Sequence, residues 1–272
     1  MADSRFSKTP IPRVRWNVLD LINVVAKGSI PTYLFVDVDM SWAEKLRQEM
    51  AERGHKTTIT AILLKAISIA QLKHPLSRTG VLPWGSTFTF KEIVAGFTVE
   101  KFINGEPAVY FGAIVDPVKK SLEQIAAELR SYAESDVTQI PQLDIEHRFT
   151  WMPWVFRRFI LWLGSTFPSV RLKYQGASFG LSSLGKFGIK MIIPPCVSTS
   201  TFGIGEVEER PVIVNGQIEI RPMMTIVLNF DHRIIDGGPA ARFLSDVIKL
   251  LEGGLAEHLV TDIGQSVSLA NT

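Results

Sequence analysis

The chain has 272 residues, of which 46% are hydrophobic and 21% are charged, a composition typical of a globular protein with a hydrophobic core. Its net charge of +2 predicts no nucleic-acid or other polyanionic partner. The single cysteine, Cys196, excludes an internal disulfide bond and favours a reducing compartment, so we expect a cytoplasmic protein.

The N-terminal part of the sequence predicts an arm, a strand and a helix. Residues 1–12 predict a flexible arm, without the apolar segment of a signal peptide. Residues 33–40 place apolar side chains at 34, 36, 38 and 40 on one face and acids at 37 and 39 on the other, which predicts a half-buried strand. Ser41 and Glu44 have the spacing of a capping box, so we expect a helix to begin at Ser41 and to end at Gly54.

The next elements are predicted from helical periodicity and from turn signals. Residues 58–73 predict a helix with one apolar stripe. Residues 93–100 and 108–115 predict two strands, joined through Asn104-Gly105. A second capping box at Ser121 predicts a helix that continues to about residue 133.

The last third of the chain predicts a hairpin, a buried strand and a helix. Residues 212–220 should fold back at Asn215-Gly216, a strong signal for a tight hairpin turn. Residues 223–230 are almost wholly apolar, which predicts a separate central strand covered on both faces. Residues 239–252 predict the last helix, with proline in its first turn and Gly253 after its end.

These elements predict an α+β fold, with a mixed β-sheet and helices on one face, in one domain over residues 13–260. The polar residues 261–272 predict a flexible tail. An aromatic-rich insertion is expected at about 136–175, and its centre, 151–163, would reach only about 20 Å as a helix. That length is too short to span a bilayer, and no apolar run elsewhere reaches the roughly 18 residues required.

The segment 231–238 carries the clearest indication of chemistry. It reads Asp-His-Arg-Ile-Ile-Asp-Gly-Gly and joins the predicted central strand to the last helix. His232 should therefore lie on a tight turn at the end of a buried strand, with Asp236 four residues later. An unperturbed pKa of about 6.5 suits histidine to accept and return a proton. The alternative is a turn in which Asp236 caps the helix and His232 has no role.

This segment resembles the active-site signature of the dihydrolipoamide acyltransferase catalytic domain, the core subunit of 2-oxoacid dehydrogenase complexes. Three blocks similar to the family precede it in the same order, at 11–15, 119–126 and 179–185, and a Pro-Pro pair at 194–195 is also shared. The resemblance extends from about residue 11 to 253. It implies a chloramphenicol acetyltransferase-like single lobe, and a homotrimer with a catalytic channel at each subunit interface, because the chain is long enough for only one lobe.

The resemblance also implies roles for the catalytic residues. His232 would be the general base that activates a thiol. Ser182 would donate a hydrogen bond to the oxyanion from across the interface, and the adjacent Ser183 is the position that could be confused with it. Asp236 would be a structural acid, paired with Arg15 or Arg13 of the N-terminal block.

Other positions of the site are predicted with less specific roles. Gly237 would permit a close approach between the turn and the helix, and Thr201 could either line the channel or belong to an edge strand. Asn229 and Arg233 have no predicted role. The histidines and Cys196 lack metal-ligand spacing, so we predict no metal.

The implied substrates are acyl-CoA or CoA and a lipoyl thioester, with no permanently bound cofactor. We expect no lipoyl or subunit-binding domain before this one, in contrast to full-length acyltransferases, so we expect a separate lipoyl carrier or acyl-CoA itself to serve as donor. The C-terminal end lacks the apolar hook of the large cages, which favours a free trimer.

Two other functions remain open. A trimer without activity could bind a dehydrogenase as a scaffold, or the aromatic residues 151–163 could contact a membrane as part of a lipid-handling protein. The same residues could instead cover an acyl-binding pocket or pack within the trimer.

Overall fold

A computed structural model describes Ser7, residues 9–170 and residues 176–259. Most of the predicted arm, residues 171–175 of the predicted insertion and the whole predicted C-terminal tail lie outside the described residues. α-Helices span Trp16–Val24 (α1), Ser41–Glu52 (α2), Ile59–Lys73 (α3), Leu122–Glu134 (α4), Pro141–Trp151 (α5), Trp154–Thr166 (α6), Gly237–Lys249 (α7) and Ala256–Leu259 (α8). Short 3₁₀-helices occupy Arg13–Arg15, Ala26–Gly28, Pro75–Arg78, Val137–Gln139 and Gly185–Phe187.

The strands form one mixed sheet and a small ribbon. They are Pro31–Asp39 (β1), Thr79–Val81 (β2), Thr87–Thr89 (β3), Val94–Ile103 (β4), Glu106–Val115 (β5), Phe179–Ser183 (β6), Ser200–Ile204 (β7), Glu208–Val214 (β8) and Gln217–Asp231 (β9). The main sheet has the order β1-β9-β7-β6-β4-β5, and β8 pairs with the first half of β9. The pairs β4–β6 and β6–β7 are parallel and the others are antiparallel, which confirms the predicted mixed sheet.

The main hydrophobic core lies between one face of this sheet and helices α2, α3, α4 and α7, as the sequence predicts. Helix α3 lies at its centre and is buried at every position from Ala61 to Gln71, so the predicted single apolar stripe is wrong. Even Lys65 is buried there, where its ammonium group donates to the carbonyls of Val118 and Lys120 at 2.7 and 2.6 Å. A long apolar helix buried on all sides is the expected centre of such a core.

One of the two predicted capping boxes is present. The amide of Gln124 donates to Ser121 Oγ at 3.1 Å, and Gln124 Oε1 accepts from the Ser121 amide at 2.9 Å. The box at Ser41 is wrong, because Ser41 is already the first residue of α2 and Met40 is the N-cap. The Ser41 amide donates to Asp39 Oδ1 at 2.9 Å, so an acid at the strand end satisfies the start of this helix.

Both predicted Asn-Gly turns are confirmed. Asn104-Gly105 connects β4 to β5 and Asn215-Gly216 connects β8 to β9, with positive φ at all four residues. The predicted separate central strand is the second half of β9, a single strand of 15 residues that begins at the hairpin. All residues from Met223 to Asp231 are buried, as predicted for a central strand.

The last long helix begins two residues earlier than the sequence predicts. Helix α7 starts at Gly237, with Asp236 at the N-cap, but the Asp236 side chain accepts no hydrogen bond from the amides of the first turn. The helix widens into a π-turn over Leu250–Gly254, where Gly253 has a φ of 139°. Glycine is favoured at such a backbone angle.

The described part of the predicted insertion folds into α5 and α6. Helix α5 packs on β5 through a second, smaller core that joins Tyr110 with Ile140 and Leu143. Helix α6 packs on α1. No helix in the described ranges is both long and apolar enough to cross a membrane.

Candidate active site

His232 lies immediately after β9, at the start of the turn that leads into α7. Its amide donates to the Ile30 carbonyl at 2.8 Å, which ties the turn to the start of β1. The side chain is 43% exposed, and its Nδ1 lies 3.6 Å from Oδ1 of Asp236, which is itself 85% exposed. The backbone of His232 is therefore fixed while its imidazole remains accessible, an arrangement suited to a general base.

Asp231 and Arg233, on either side of His232, form the ion pair that holds this turn. Both carboxylate oxygens of Asp231 accept from Arg233 Nε at 3.0 Å, and Oδ2 also accepts from Nη2 at 2.5 Å. Asp231 Oδ1 accepts from the amides of Ile30 and Arg233 as well, at 3.2 and 3.1 Å. The sequence predicts no role for Arg233, whereas the turn after β9 brings its guanidinium group to the Asp231 carboxylate.

Asp231 and Arg233 each stabilise the charged form of the other. Burial raises the pKa of Asp231, but the hydrogen bonds from Arg233 and from the Ile30 amide outweigh this effect and hold the pKa below its usual value. The hydrogen bond to Asp231 raises the pKa of Arg233 despite partial burial. The pair is thus charged at neutral pH, next to the imidazole.

Ser182 lies far from His232 within one chain. Ser182 pairs with Gly203 across β6 and β7, and Gly203 pairs with Val227 across β7 and β9. His232 follows Val227 by five residues, roughly 17 Å along the strand, and two strand spacings add roughly 10 Å across the sheet. The two side chains therefore lie at opposite ends of the sheet and cannot meet in one copy of the chain.

Thr201 and Asn229 are cross-strand neighbours on the sheet next to this turn. Asn229 Nδ2 donates to the Pro194 carbonyl at 2.7 Å, whereas Asn229 Oδ1 and Thr201 Oγ1 are buried and have no hydrogen-bond partner among the described residues. The prediction of an edge strand for Thr201 is wrong, because β7 lies between β6 and β9. Two buried oxygen acceptors therefore lie side by side at a central position of the sheet.

The neighbouring hydroxyls do not form a channel lining. Thr199 Oγ1 donates to the Thr79 carbonyl, and Ser200 Oγ donates to the Ser77 carbonyl at 2.9 Å. These bonds attach the start of β7 to the 3₁₀-helix at Pro75–Arg78 and to the first residue of β2. The Thr201 hydroxyl, which the sequence suggested for a channel, forms no such bond in the described structure.

Gly203 and Gly205 have a packing role that the sequence did not reveal. A Cβ atom at Gly203 would lie 2.0 Å from the Ile192 carbonyl oxygen, and one at Gly205 would lie 1.9 Å from that of Lys190. The segment before β7 therefore runs directly against the backbone of this strand. Only glycine permits so close an approach.

The remaining predicted site residues do not converge on His232 within one chain. Arg13 donates to the Trp151 carbonyl at 3.4 Å, and Arg15 is exposed, so neither forms the predicted pair with Asp236 there. The predicted close approach at Gly237 is wrong for a single chain, because a Cβ there would have no neighbour within 4 Å. Across the described ranges, no group of three or more His, Cys, Asp or Glu could hold a metal ion.

Comparison with models of protein families shows that the turn at His232 lies in a segment that matches a known family. Residues 171–259 match the model of the 2-oxoacid dehydrogenases acyltransferase (catalytic domain). A Zymomonas mobilis protein, the dihydrolipoyllysine-residue acetyltransferase component of the pyruvate dehydrogenase complex, is 30% identical over 239 residues, 84% of this chain and 46% of the relative. The corresponding succinyltransferase component of the 2-oxoglutarate dehydrogenase complex from Buchnera aphidicola is 43% identical over 82 residues.

Solved structures show the same fold. Dihydrolipoamide acetyltransferase from Azotobacter vinelandii has a TM-score of 0.71 at 22% identity, covering 94% of each chain. A probable dihydrolipoamide acetyltransferase from Listeria monocytogenes has a TM-score of 0.66 at 20% identity, covering 92% of this chain and 96% of the other. The curated relatives are longer, since the matched part spans 46% of the Zymomonas protein and 19% of the Buchnera protein.

Proposed function

We propose that this chain, which contains a catalytic domain of the 2-oxoacid dehydrogenase acyltransferase family, transfers an acyl group between the thioesters of CoA and a lipoyl group. The observation that carries the proposal is the position of His232, fixed by its backbone at the end of the central strand with a partly exposed imidazole. His232 lies within the segment that matches the family model.

The reaction requires two proton transfers, one from the incoming thiol to His232 and one from His232 to the departing thiolate. His232 Nε2 accepts the proton of the incoming thiol, whose usual pKa of about 8.5 leaves it mostly protonated at neutral pH. The thiolate adds to the thioester carbonyl, and the Ser182 hydroxyl of a neighbouring copy donates a hydrogen bond to the resulting oxyanion. The intermediate then expels the other thiolate, which takes the proton back from the imidazolium. Asp236, close to Nδ1, favours the tautomer that leaves Nε2 free.

The relatives support both the reaction and these residues. Their names specify transfer of acetyl or succinyl groups on dihydrolipoyllysine residues. The Azotobacter structure comes from an investigation of the roles of a serine, a histidine and an asparagine in catalysis. The asparagine follows the histidine by four positions there, as Asp236 follows His232 here.

The proposal includes assembly of several copies, most simply a trimer. The separation of Ser182 from His232 within one chain requires a second copy to complete the site. Exposed isoleucines on the β8–β9 hairpin, Ile213 and Ile218, provide apolar surface for such contacts. Asp236 and Arg15 are both exposed, so they are available to pair between copies.

The decisive experiment measures acyl transfer directly. The purified chain is given acetyl-CoA or succinyl-CoA with dihydrolipoamide, and released CoA is followed with a thiol reagent. We expect turnover that falls by at least ~10²-fold in His232→Ala, the magnitude typical of a lost general base. His55→Ala is the matched control, since His55 forms only an exposed pair with Glu123. Equal turnover in wild type and His232→Ala would contradict the assignment of His232 as general base. A chain that binds a dehydrogenase but has no turnover would favour the alternative of an inactive scaffold.

A further inference from the structure

Helix α6 presents apolar side chains to solvent and a charge to the protein interior. Trp154, Phe159 and Trp162 are 59%, 54% and 52% exposed. On the opposite side, Arg157 is buried, and its Nε donates to Oδ2 of Asp20 on α1 at 2.7 Å. A surface helix of a globular protein normally has the reverse arrangement. The outer side of α6 therefore has the composition of a surface that binds a partner.

The exposed apolar residues on and just before α6, which we call the aromatic face, are Trp151, Trp154, Val155, Phe156, Phe159 and Trp162. Positions 155, 159 and 162 follow the helical repeat and lie on one side of α6. The rings of Phe159 and Trp162 stack with centroids 6.0 Å apart. Clustered apolar surface of this kind marks an interaction site more often than scattered exposed residues do.

Cations border the aromatic face. The guanidinium carbon of Arg13 lies 5.4 Å from the centroid of the Trp151 ring, and that of Arg158 lies 5.4 Å from the Trp154 ring. The sequence contains no Asp or Glu from residue 147 to 205. A cavity of about 580 Å³ opens at the start of α6, and Arg13 and Arg158 line it together with Trp16 and Trp154.

We propose that the aromatic face binds the surface of an anionic lipid bilayer, with α6 lying along the interface. Tryptophan and phenylalanine side chains partition into the boundary between head groups and acyl chains, and arginine pairs with lipid phosphate. Helix α6 has 13 residues, about 20 Å, so it can lie on a bilayer but cannot cross one.

The charges favour a lipid surface over a symmetric contact with the same face of a second copy. A symmetric contact between two aromatic faces would place Arg13 and Arg158 against the same arginines of the other copy. Residues 147–205 contain no acid, and Asp20, whose Oδ1 lies 3.7 Å from Arg158 Nε, is buried and already pairs with Arg157, so little negative charge offsets this repulsion. An anionic bilayer supplies both the negative charge and the apolar layer.

Co-sedimentation with vesicles tests the proposal. The intact chain is mixed with phosphatidylcholine vesicles, or with phosphatidylcholine vesicles that contain phosphatidylglycerol. We expect stronger binding to the second, and at least a roughly tenfold loss of the partition coefficient in the triple variant Trp154→Ser, Phe159→Ser, Trp162→Ser. Arg158→Gln should lose about fivefold on anionic vesicles only, from about 1 kcal/mol per arginine near the surface.

The control is Trp84→Ser, which removes an even more exposed tryptophan outside the aromatic face and should bind like wild type. Brominated lipids should quench the fluorescence of wild type and of Trp84→Ser, but much less that of the triple variant. Circular dichroism is used to check that each variant is folded. Absence of vesicle binding by wild type, or equal binding by the triple variant, overturns the proposal. A lower assembly mass for the triple variant, without vesicle binding, would assign the face to contacts between copies.

Discussion

Asp231 and Arg233 form an ion pair across His232, with Asp231 Oδ2 2.5 Å from Arg233 Nη2. Asp231 also accepts from the Ile30 amide, so one carboxylate joins the end of β9 to the start of β1. The candidate base is therefore held by the residues on either side of it, whereas its own side chain makes no close hydrogen bond within the described chain.

Removal of the Asp231 carboxylate should loosen the turn that holds His232. Asp231→Ala leaves the partly exposed Arg233 and the Ile30 amide without their acceptor, so we expect a loss of about 2 kcal/mol in the free energy of unfolding. Acyl transfer should fall at least ~10-fold as His232 loses its position. Urea denaturation and turnover measure the two effects. Asp144→Ala, which breaks an exposed pair with Arg148, should change stability by less than about 0.5 kcal/mol.

Complementation between inactive variants tests whether the site is shared by two copies. Ser182→Ala should lower turnover by about 10²-fold through loss of the oxyanion donor, while Ser183→Ala should retain most of it. When Ser182→Ala and His232→Ala chains are co-assembled, some interfaces combine the intact serine of one chain with the intact histidine of the other. We expect turnover well above either variant alone. No recovery in verified mixed assemblies would contradict a shared site.

Features whose signals lie within a few residues of one another could be predicted from the sequence. The Asn-Gly turns, the cap at Ser121 and the buried strand before His232 are of this kind, because backbone angles and local hydrogen bonds determine them. The box at Ser41 failed because the nearby Asp39 carboxylate already accepts from the Ser41 amide. The sequence does not show which of two neighbouring side chains will accept the hydrogen bond at the start of a helix.

The rest of the candidate site depends on pairing between distant segments. The position of Thr201 could not be predicted, because the order of β6, β7 and β9 decides whether its strand is central. Asn229 was missed because its partner, the Pro194 carbonyl, belongs to a segment that crosses the sheet. The predicted pair of Asp236 with Arg15 or Arg13 does not form within the described chain, because Arg13 donates to the Trp151 carbonyl and Arg15 is exposed elsewhere.

Stability should depend on pH through Glu146, on α5. Burial raises the pKa of this carboxyl to about 7, although hydrogen bonds from the Phe111 amide and from Asn17 oppose the shift. The folded chain thus keeps a proton that the unfolded chain releases near pH 4.3, so stability is greatest below that value and falls as the pH rises towards 7. The loss should reach at most about 4 kcal/mol.

Glu146→Gln provides the matched test, since the amide keeps the shape but cannot ionise. Urea denaturation at pH 5 and pH 8 should show wild type less stable at pH 8, and the variant should lack most of this difference. Glu123→Gln, at an exposed pair with His55, controls for general effects of charge. A wild-type chain that is equally stable at both pH values would contradict the role of Glu146.

Close packing against β7 should make Gly205 intolerant of a side chain. In Gly205→Ala the new methyl group would lie 1.9 Å from the Lys190 carbonyl oxygen, and a backbone atom cannot rotate away as a side chain could. We expect a loss of about 3 kcal/mol or more in unfolding free energy, or failure to accumulate folded protein. Gly237→Ala is the control, because no atom lies within 4 Å of its new methyl group and stability should change little. If Gly205→Ala unfolded at the same urea concentration as wild type, the segment that contains Lys190 would have to lie away from β7, and the environment described for Asn229 and Thr201 would change with it.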